Sequence, residues 1–467
     1  MLLDRINGLC WGIPMLMLIL GTGLAVTVFC GAPQLRLLTQ AVRRFFRQFS
    51  GRDSSGSSYR ALCTALAATV GTGNIAGVAG AIAIGGPGAV FWMNVSAFFG
   101  MATKFAESML AVRFRERSDD GAFRGGTMYM IRNGLGKRFQ WLASVYCFFG
   151  LFAAFGVGNA TQVNAVTTAL REAGAAYGFS VSEGTGLAVG VLLAILVMTL
   201  VSGGGEKIGK AAELLVPVAA GAYVFVCLVA LWLRRAALPG AAASILRGAF
   251  SPEGVTGGAI GSLFQTLRIG VSRGVFTNEA GMGTAAMAHG SADVDHPAEQ
   301  GLMGIMEVFL DTVLICTLTA LVILTGGVEI PYGQDAGAEL TARALSAGLG
   351  SWVSAFLCGC LCLFALATIL GWGLYAGRCA EFLLGGMNWK RFALCQGAAV
   401  ILGSVLDTGI IWTLSEVMNA LMAVPNLIAL LCLLPELRRL TIDYLNIKHG
   451  HGAAGGTYEN FHQRKPL

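Results

Sequence analysis

Long apolar runs, separated by short loops rich in arginine and lysine, set the rhythm of this chain. They lie at roughly 11–32, 61–84, 87–111, 141–166, 184–202, 213–233, 257–285, 301–326, 352–374, 392–408 and 412–434. A helix rising about 1.5 Å per residue needs about 20 apolar residues to cross the hydrocarbon layer of a bilayer. The pattern therefore predicts an all-α polytopic membrane protein with about eleven transmembrane helices. The run at 257–285 is the least hydrophobic of them.

Two runs carry an interruption. In Leu66-Ala-Ala-Thr-Val-Gly-Thr-Gly-Asn-Ile-Ala-Gly-Val-Ala-Gly80, the helix-weakening Gly71 and Gly73, with Asn74, fall near the middle of a span. The second interruption is expected at Gly270–Gly274, inside Arg268-Ile-Gly-Val-Ser-Arg-Gly274. Glycines on one helix face also serve close packing. Paired interruptions in corresponding parts of two halves instead point to discontinuous helices around a midplane substrate site. The spans after the first divide into five over 61–234 and five over 257–434, with 1–60 before them and a cytoplasmic tail at 435–467. Five is odd, so the second half enters from the opposite side and the repeats are inverted.

Composition fits this picture. Of 467 residues, 55% are hydrophobic and 12% charged, against about 25% charged in soluble domains. Twenty-three of the 32 lysines and arginines fall on one set of alternate loops and six on the other, which predicts an outside N-terminus and a cytoplasmic C-terminus in the plasma (inner) membrane. The net charge of +6 reflects those loops rather than a nucleic-acid face. The first apolar run is long and lacks a small-x-small cleavage site, so no signal peptide is expected. The 12 cysteines read mostly as small buried hydrophobes, and Cys358-x-Cys360-x-Cys362 does not share a helical face. Neither metal-ligand spacing nor a Gly-x-Ser-x-Gly elbow argues for an enzyme.

Four blocks carry a resemblance. They are Gly85-Gly-Pro-Gly-Ala-Val-Phe-Trp-Met-Asn-Val-Ser-Ala-Phe-Phe-Gly100, Val70-Gly-Thr-Gly-Asn-Ile75, Gly125-Gly-Thr-Met-Tyr-Met-Ile131 and Arg273-Gly-Val-Phe-Thr-Asn-Glu-Ala-Gly-Met-Gly283. Over almost its whole length the chain resembles the alanine/glycine:cation symporters, also called the sodium:alanine symporter family. The resemblance implies a leucine-transporter-type fold with five-plus-five inverted repeats and one extra N-terminal helix. It also implies symport of alanine or glycine with Na⁺, and no cofactor besides that coupling ion. Asn94 stands where the family usually has Trp, and Thr127 and Ala286 where it commonly has Pro, which bears on substrate choice.

For a small zwitterion, the N–H groups around Gly71, Thr72 and Gly73 are expected to receive the carboxylate, with polar contacts from Thr72 and Asn74. Ile269 and Gly270 are expected to close the pocket and offer carbonyls to the ammonium. Gln162, in Gly158-Asn-Ala-Thr-Gln-Val-Asn164, faces the site or bonds between helices. Thr368 and Trp372 share a face, where the tryptophan caps a small pocket or anchors at the membrane interface. The fold resemblance adds the carbonyls of Ala67 and Val70 and the Thr368 hydroxyl as ligands for Na⁺.

Four intramembrane acids, Glu107, Glu279, Glu307 and Asp311, are candidates by position. Glu107 is expected to pair with Lys104, and Glu279 to form a cytoplasmic gate with Arg273 or Arg268. His289 and His296, near Asp293 and Asp295, read as a solvated loop. A sodium-driven importer of alanine or glycine leads this reading. A proton-coupled or exchanging transporter of the same fold is the alternative, ahead of a channel or a membrane-embedded enzyme.

Overall fold

A computed structural model describes residues 2–51, 56–118, 121–179, 183–258, 260, 262–334, 336–405 and 408–448. The glycine-rich tail beyond Lys448, expected to be flexible, lies outside them. Helices occupy every apolar run, and a two-stranded ribbon pairs Glu116–Arg117 with Phe123–Arg124. Among the described residues seven helices are long and apolar enough to cross a membrane, and a bent pair makes an eighth.

The bent pair is the first predicted interruption. Helix Ser57–Thr69 stops, Val70 turns extended (φ −76°, ψ 107°), and the chain resumes through a π-helical turn at Gly73–Gly77 into Val78–Gly85, bent by 56°. In a continued helix the Gly71 N–H would bond the Ala67 carbonyl. It bonds Asn74 Oδ1 instead, at 2.7 Å.

The second interruption is not where the glycines suggested. Helix Leu263–Asn278 runs unbroken through Gly270–Gly274. Those glycines let it press against helix Ala89–Arg113: a Cβ on Gly270 would strike the Ala89 carbonyl and Trp92, and one on Gly274 would strike Met93 and Ser96. The packing role is the right one there. The break comes later, at Glu279 (φ 53°), Gly281 (φ 93°) and Gly283 (φ 74°), before helix Ala285–His289. Side chains replace the missing helical bonds at this turn. Asn278 Oδ1 accepts from Ala280 N–H (3.0 Å), and Glu107 Oε1 accepts from the N–H groups of Gly281 (3.0 Å) and Gly283 (3.1 Å). Asn426 Nδ2 donates to Glu107 Oε1 at 2.7 Å, and the Thr127 hydroxyl donates to the Gly283 carbonyl at 3.0 Å.

Glu107 is therefore a turn clamp and not the partner of Lys104. Lys104 Nζ meets Glu307 Oε1 at 2.8 Å, with both side chains essentially unexposed. His289 Nε2 donates to Glu307 Oε2 (3.0 Å) and its Nδ1 accepts from Gln300 (2.6 Å), whose Oε1 accepts from Ser58 (2.6 Å). His289 is thus a buried link between helices and not part of a solvated loop. His296 is also buried and caps helix Pro297–Val308, its Nδ1 accepting from Ala298 N–H at 3.0 Å. Asn94 donates across to Thr317 Oγ1 at 3.1 Å, joining two helices.

Glu307→Gln leaves a buried ammonium without its counter-charge and is expected to cost about 3–5 kcal/mol of stability. Lys104→Met combined with Glu307→Gln removes that charge and should recover most of the loss. Thermal unfolding of the three purified proteins in one detergent checks this.

Candidate functional site

Where the first helix breaks, Gly71, Thr72 and Gly73 border a cavity of about 40 Å³. Its other walls include Gln162, Glu279, Thr368, Trp372 and Asn419. That volume holds roughly three waters, so the space admits only a very small ligand. Among the described residues Trp372 is the largest fully buried side chain, and it stands edge-on to Tyr375, ring centroids 5.7 Å apart. It fits only because residue 158 is glycine: a Cβ there would overlap the Trp372 Cβ. Gly71 is more mildly constrained, since a Cβ would lie 3.1 Å from Thr368 Oγ1.

The polar character of the cavity is mixed. Gly73 opens the second half-helix, and the N–H groups at a helix start have no partner within that helix. On the same cavity, Gln162 Oε1, Thr368 Oγ1 and Asn419 Oδ1 are buried without a hydrogen-bond partner. Gln162 is held by its own amide, which donates to the Val157 carbonyl at 3.1 Å in the π-helical turn Gly156–Ala160. Glu279 adds a carboxylate whose Oε2 accepts from Thr284 Oγ1 at 2.7 Å. Buried acceptors left open in this way need a donor or a cation to complete them.

A vestibule of about 380 Å³ shares Thr72, Gly73, Phe276 and Thr277 with the cavity. Glu172, Glu339, Glu416 and Arg273 supply its charges.

The profile of the sodium:alanine symporter family matches residues 1–455. The chain belongs to the sodium:alanine symporter family. It is 40% identical to the sodium/alanine symporter AgcS of Methanococcus maripaludis, over 92% of this chain and 94% of that protein. An uncharacterized transporter of Haemophilus influenzae is 41% identical, over 96% and 97% of the two chains. Among solved structures, MhsT in complex with L-phenylalanine superposes with a TM-score of 0.54 at 14% identity, covering 82% of this chain and 97% of that one. That likeness supports the leucine-transporter-type fold.

Within this family member the expected site residues separate into groups. Gly71, Thr72, Gly73, Gln162, Thr368 and Trp372 meet at the cavity. Trp372 is buried there among protein groups. Asn74 stands behind the wall, its amide spent on Gly71 N–H and on Asp311. The Gly71 N–H is consequently taken, which leaves Thr72 and Gly73 as the N–H groups of the break. Ile269 and Gly270 do not reach the cavity. Their stretch is intact helix, with Ile269 beside Gly85 and Gly270 against Ala89 and Trp92, so their carbonyls remain helical. Ala68 and Thr69 line the cavity, while Ala67 and Val70, expected to offer carbonyls to Na⁺, are buried next to them in the chain. Glu279 lies on the cavity wall and Arg273 on the vestibule wall, and no ion pair joins them among the described residues. Asn419 was missed, although a polar side chain within a membrane run is costly facing lipid, which is the signal that singles out Gln162 in its polar block.

Gly158→Ala is expected to displace Trp372, costing about 1–3 kcal/mol as overpacking and abolishing ligand binding. Gly77→Ala adds its methyl where nothing lies within 4 Å and should leave stability within about 1 kcal/mol of the parent. Paired thermal melts and binding measurements decide between them.

Proposed function

We propose that this chain is a sodium-coupled symporter of small neutral amino acids, alanine or glycine, importing them by alternating access. The observation that carries the reading is the mixed lining of one cavity: the helix-start backbone at Thr72 and Gly73 together with the open oxygens of Gln162, Thr368 and Asn419 and the Glu279 carboxylate. A zwitterion satisfies both kinds of group at once. An anion would meet Glu279, and a bare cation would leave the N–H groups unfilled. Trp372, seated against Gly158, limits the side chain to a methyl group or none.

The Na⁺ site in this proposal uses the Ala67 and Val70 carbonyls and the Thr368 hydroxyl. Two features support it. The Ala67 carbonyl loses its helical partner when the Gly71 N–H turns to Asn74, and Thr368 Oγ1 is buried without a partner. Oxygen donors of this kind suit a hard cation at an unwound helix. The acids of the vestibule attract cations toward its mouth. With the N-terminus outside, as the basic-loop bias suggests, that mouth faces the exterior. Arg273 then stands at the entrance and Glu279 at the floor, so the gate role expected at the cytoplasmic end moves in this proposal to the exterior side. Five helices from 61–234 and five from 257–434 make up the two inverted halves.

Uptake of labelled alanine into proteoliposomes tests the reading. Accumulation should require an inward sodium gradient at fixed pH and be indifferent to a proton gradient. Drive by protons alone would overturn the ion assignment. Gln162→Leu and Asn419→Leu each remove an acceptor and should weaken apparent alanine affinity by about 10-fold or more, as expected for a lost hydrogen bond to a charged group.

A further inference from the structure

Asn74, Asp311, Thr312 and Asn278 lie outside the cavity wall and outside the buried ion-pair chain around Lys104, yet they form one continuous hydrogen-bonded path. The Gly71 N–H donates to Asn74 Oδ1 (2.7 Å), and Asn74 Nδ2 donates to Asp311 Oδ1 (2.7 Å) and to the Asp311 carbonyl (3.0 Å). The Thr312 hydroxyl donates to Asp311 Oδ2 (2.7 Å) and accepts from Asn278 Nδ2 (3.2 Å). Asn278 Oδ1 accepts from the Ala280 N–H (3.0 Å). The path starts at a backbone N–H of the first helix break and ends at a backbone N–H of the second. Its middle is the π-helical segment Phe309–Cys316 of a third span. All four side chains are essentially unexposed.

We propose that Asp311 and Thr312 are positioning residues that tie the two helix breaks together, so that a change of geometry at Gly71–Gly73 is passed to the turn at Glu279–Gly283. The physical warrant is the absence of substitutes. At this depth no water replaces a lost partner, and a severed link strands a carboxylate or an amide in a low-dielectric interior. Moving one break alone severs a link, whereas moving both together with the Phe309–Cys316 segment preserves them all. The donors and acceptors alternate along the path, and each Asp311 oxygen serves one side of it. Thr312 is the narrowest point: its hydroxyl is the connection between Asp311 and Asn278, and it does not touch Asn74.

Hydrogen exchange on the full-length protein in detergent, without added substrate, tests the tie. Thr312→Val should speed exchange of the Ala280, Gly281 and Gly283 amides by about tenfold or more and leave the 71–78 amides unchanged. Thr312→Ser, which keeps the hydroxyl, should behave as the parent. Asn74→Ala should speed exchange at 280–283 in the parent and add nothing there in the Thr312→Val background. The proposal is overturned if Thr312→Val leaves 280–283 at the parent rate, or if Asn74→Ala acts at 280–283 equally in both backgrounds.

Transport supplies a second readout, which rests on the alanine reading above. Thr312→Val should keep alanine binding within about threefold while turnover falls by about tenfold, with recovery in Thr312→Ser. Parallel loss of binding and turnover would mark a merely structural role and overturn the proposal. Failure of the parent itself to carry alanine would instead sink the substrate reading, while the exchange result still decides the tie.

Discussion

A backbone N–H that leaves its helix inside the hydrocarbon layer must find another acceptor, and the Gly71 N–H finds Asn74 Oδ1 at 2.7 Å. Most of the site follows from that bond. It allows the helix to stop at Thr69, releases the Ala67 carbonyl from its helical partner and opens the start of a second half-helix at Gly73. Asn74 can serve because its other end is anchored on Asp311. At the second break Glu107, Asn426, Thr127 and Asn278 do for five backbone groups what Asn74 does for the Gly71 N–H. Much of a polar inventory that would be extravagant in lipid is thereby consumed within the protein, while three oxygens that line the cavity, on Gln162, Thr368 and Asn419, are left open.

That residue of unfilled acceptors is what gives the cavity its chemistry. Native interiors leave few buried polar atoms unpaired, so Gln162, Thr368 and Asn419 converging on one small space marks a place completed by something else. Size is set by a different device. Trp372 is drawn against Gly158 closely enough that a single methyl at position 158 would expel it. Polarity and volume are therefore fixed by separate residues, and substitutions can alter one without the other.

Much of this was legible from the chain. Alternating apolar runs gave the helices, and Gly71, Gly73 and Asn74 inside one run marked the first break. The second break was misplaced because glycine has two uses. Gly270 and Gly274 have the spacing of a packing face and serve as one, while the true break begins at a glutamate, a residue that rarely adopts positive φ. A tertiary clamp by Glu107 on the Gly281 and Gly283 N–H groups supports the turn, and no local pattern announces that clamp. The pairing of Lys104 was misjudged for a related reason. Helical spacing offers Glu107 three residues away, but long-range packing supplies Glu307 at 2.8 Å, and Glu107 is already committed to the turn. Local spacing predicts faces well; it does not decide among several buried acids brought to one depth.

The two ends of the proposed pathway differ in kind. On the vestibule side the charges of Glu172, Glu339 and Arg273 face open space, so closing that side requires covering groups that water now solvates. On the other side Lys104, Glu307, His289, Gln300 and Ser58 form a sealed polar chain across four helices. Opening there exposes an ion pair to water rather than stranding it, and the regained hydration offsets part of the lost Coulomb attraction. The sealed chain thus resists separation while it is dry and weakens once water enters. A barrier with that property favours two discrete states over a continuum of half-open ones. The rigid tie through Asp311 and Thr312 would then let the small ligand at the first break bias which of the two is populated.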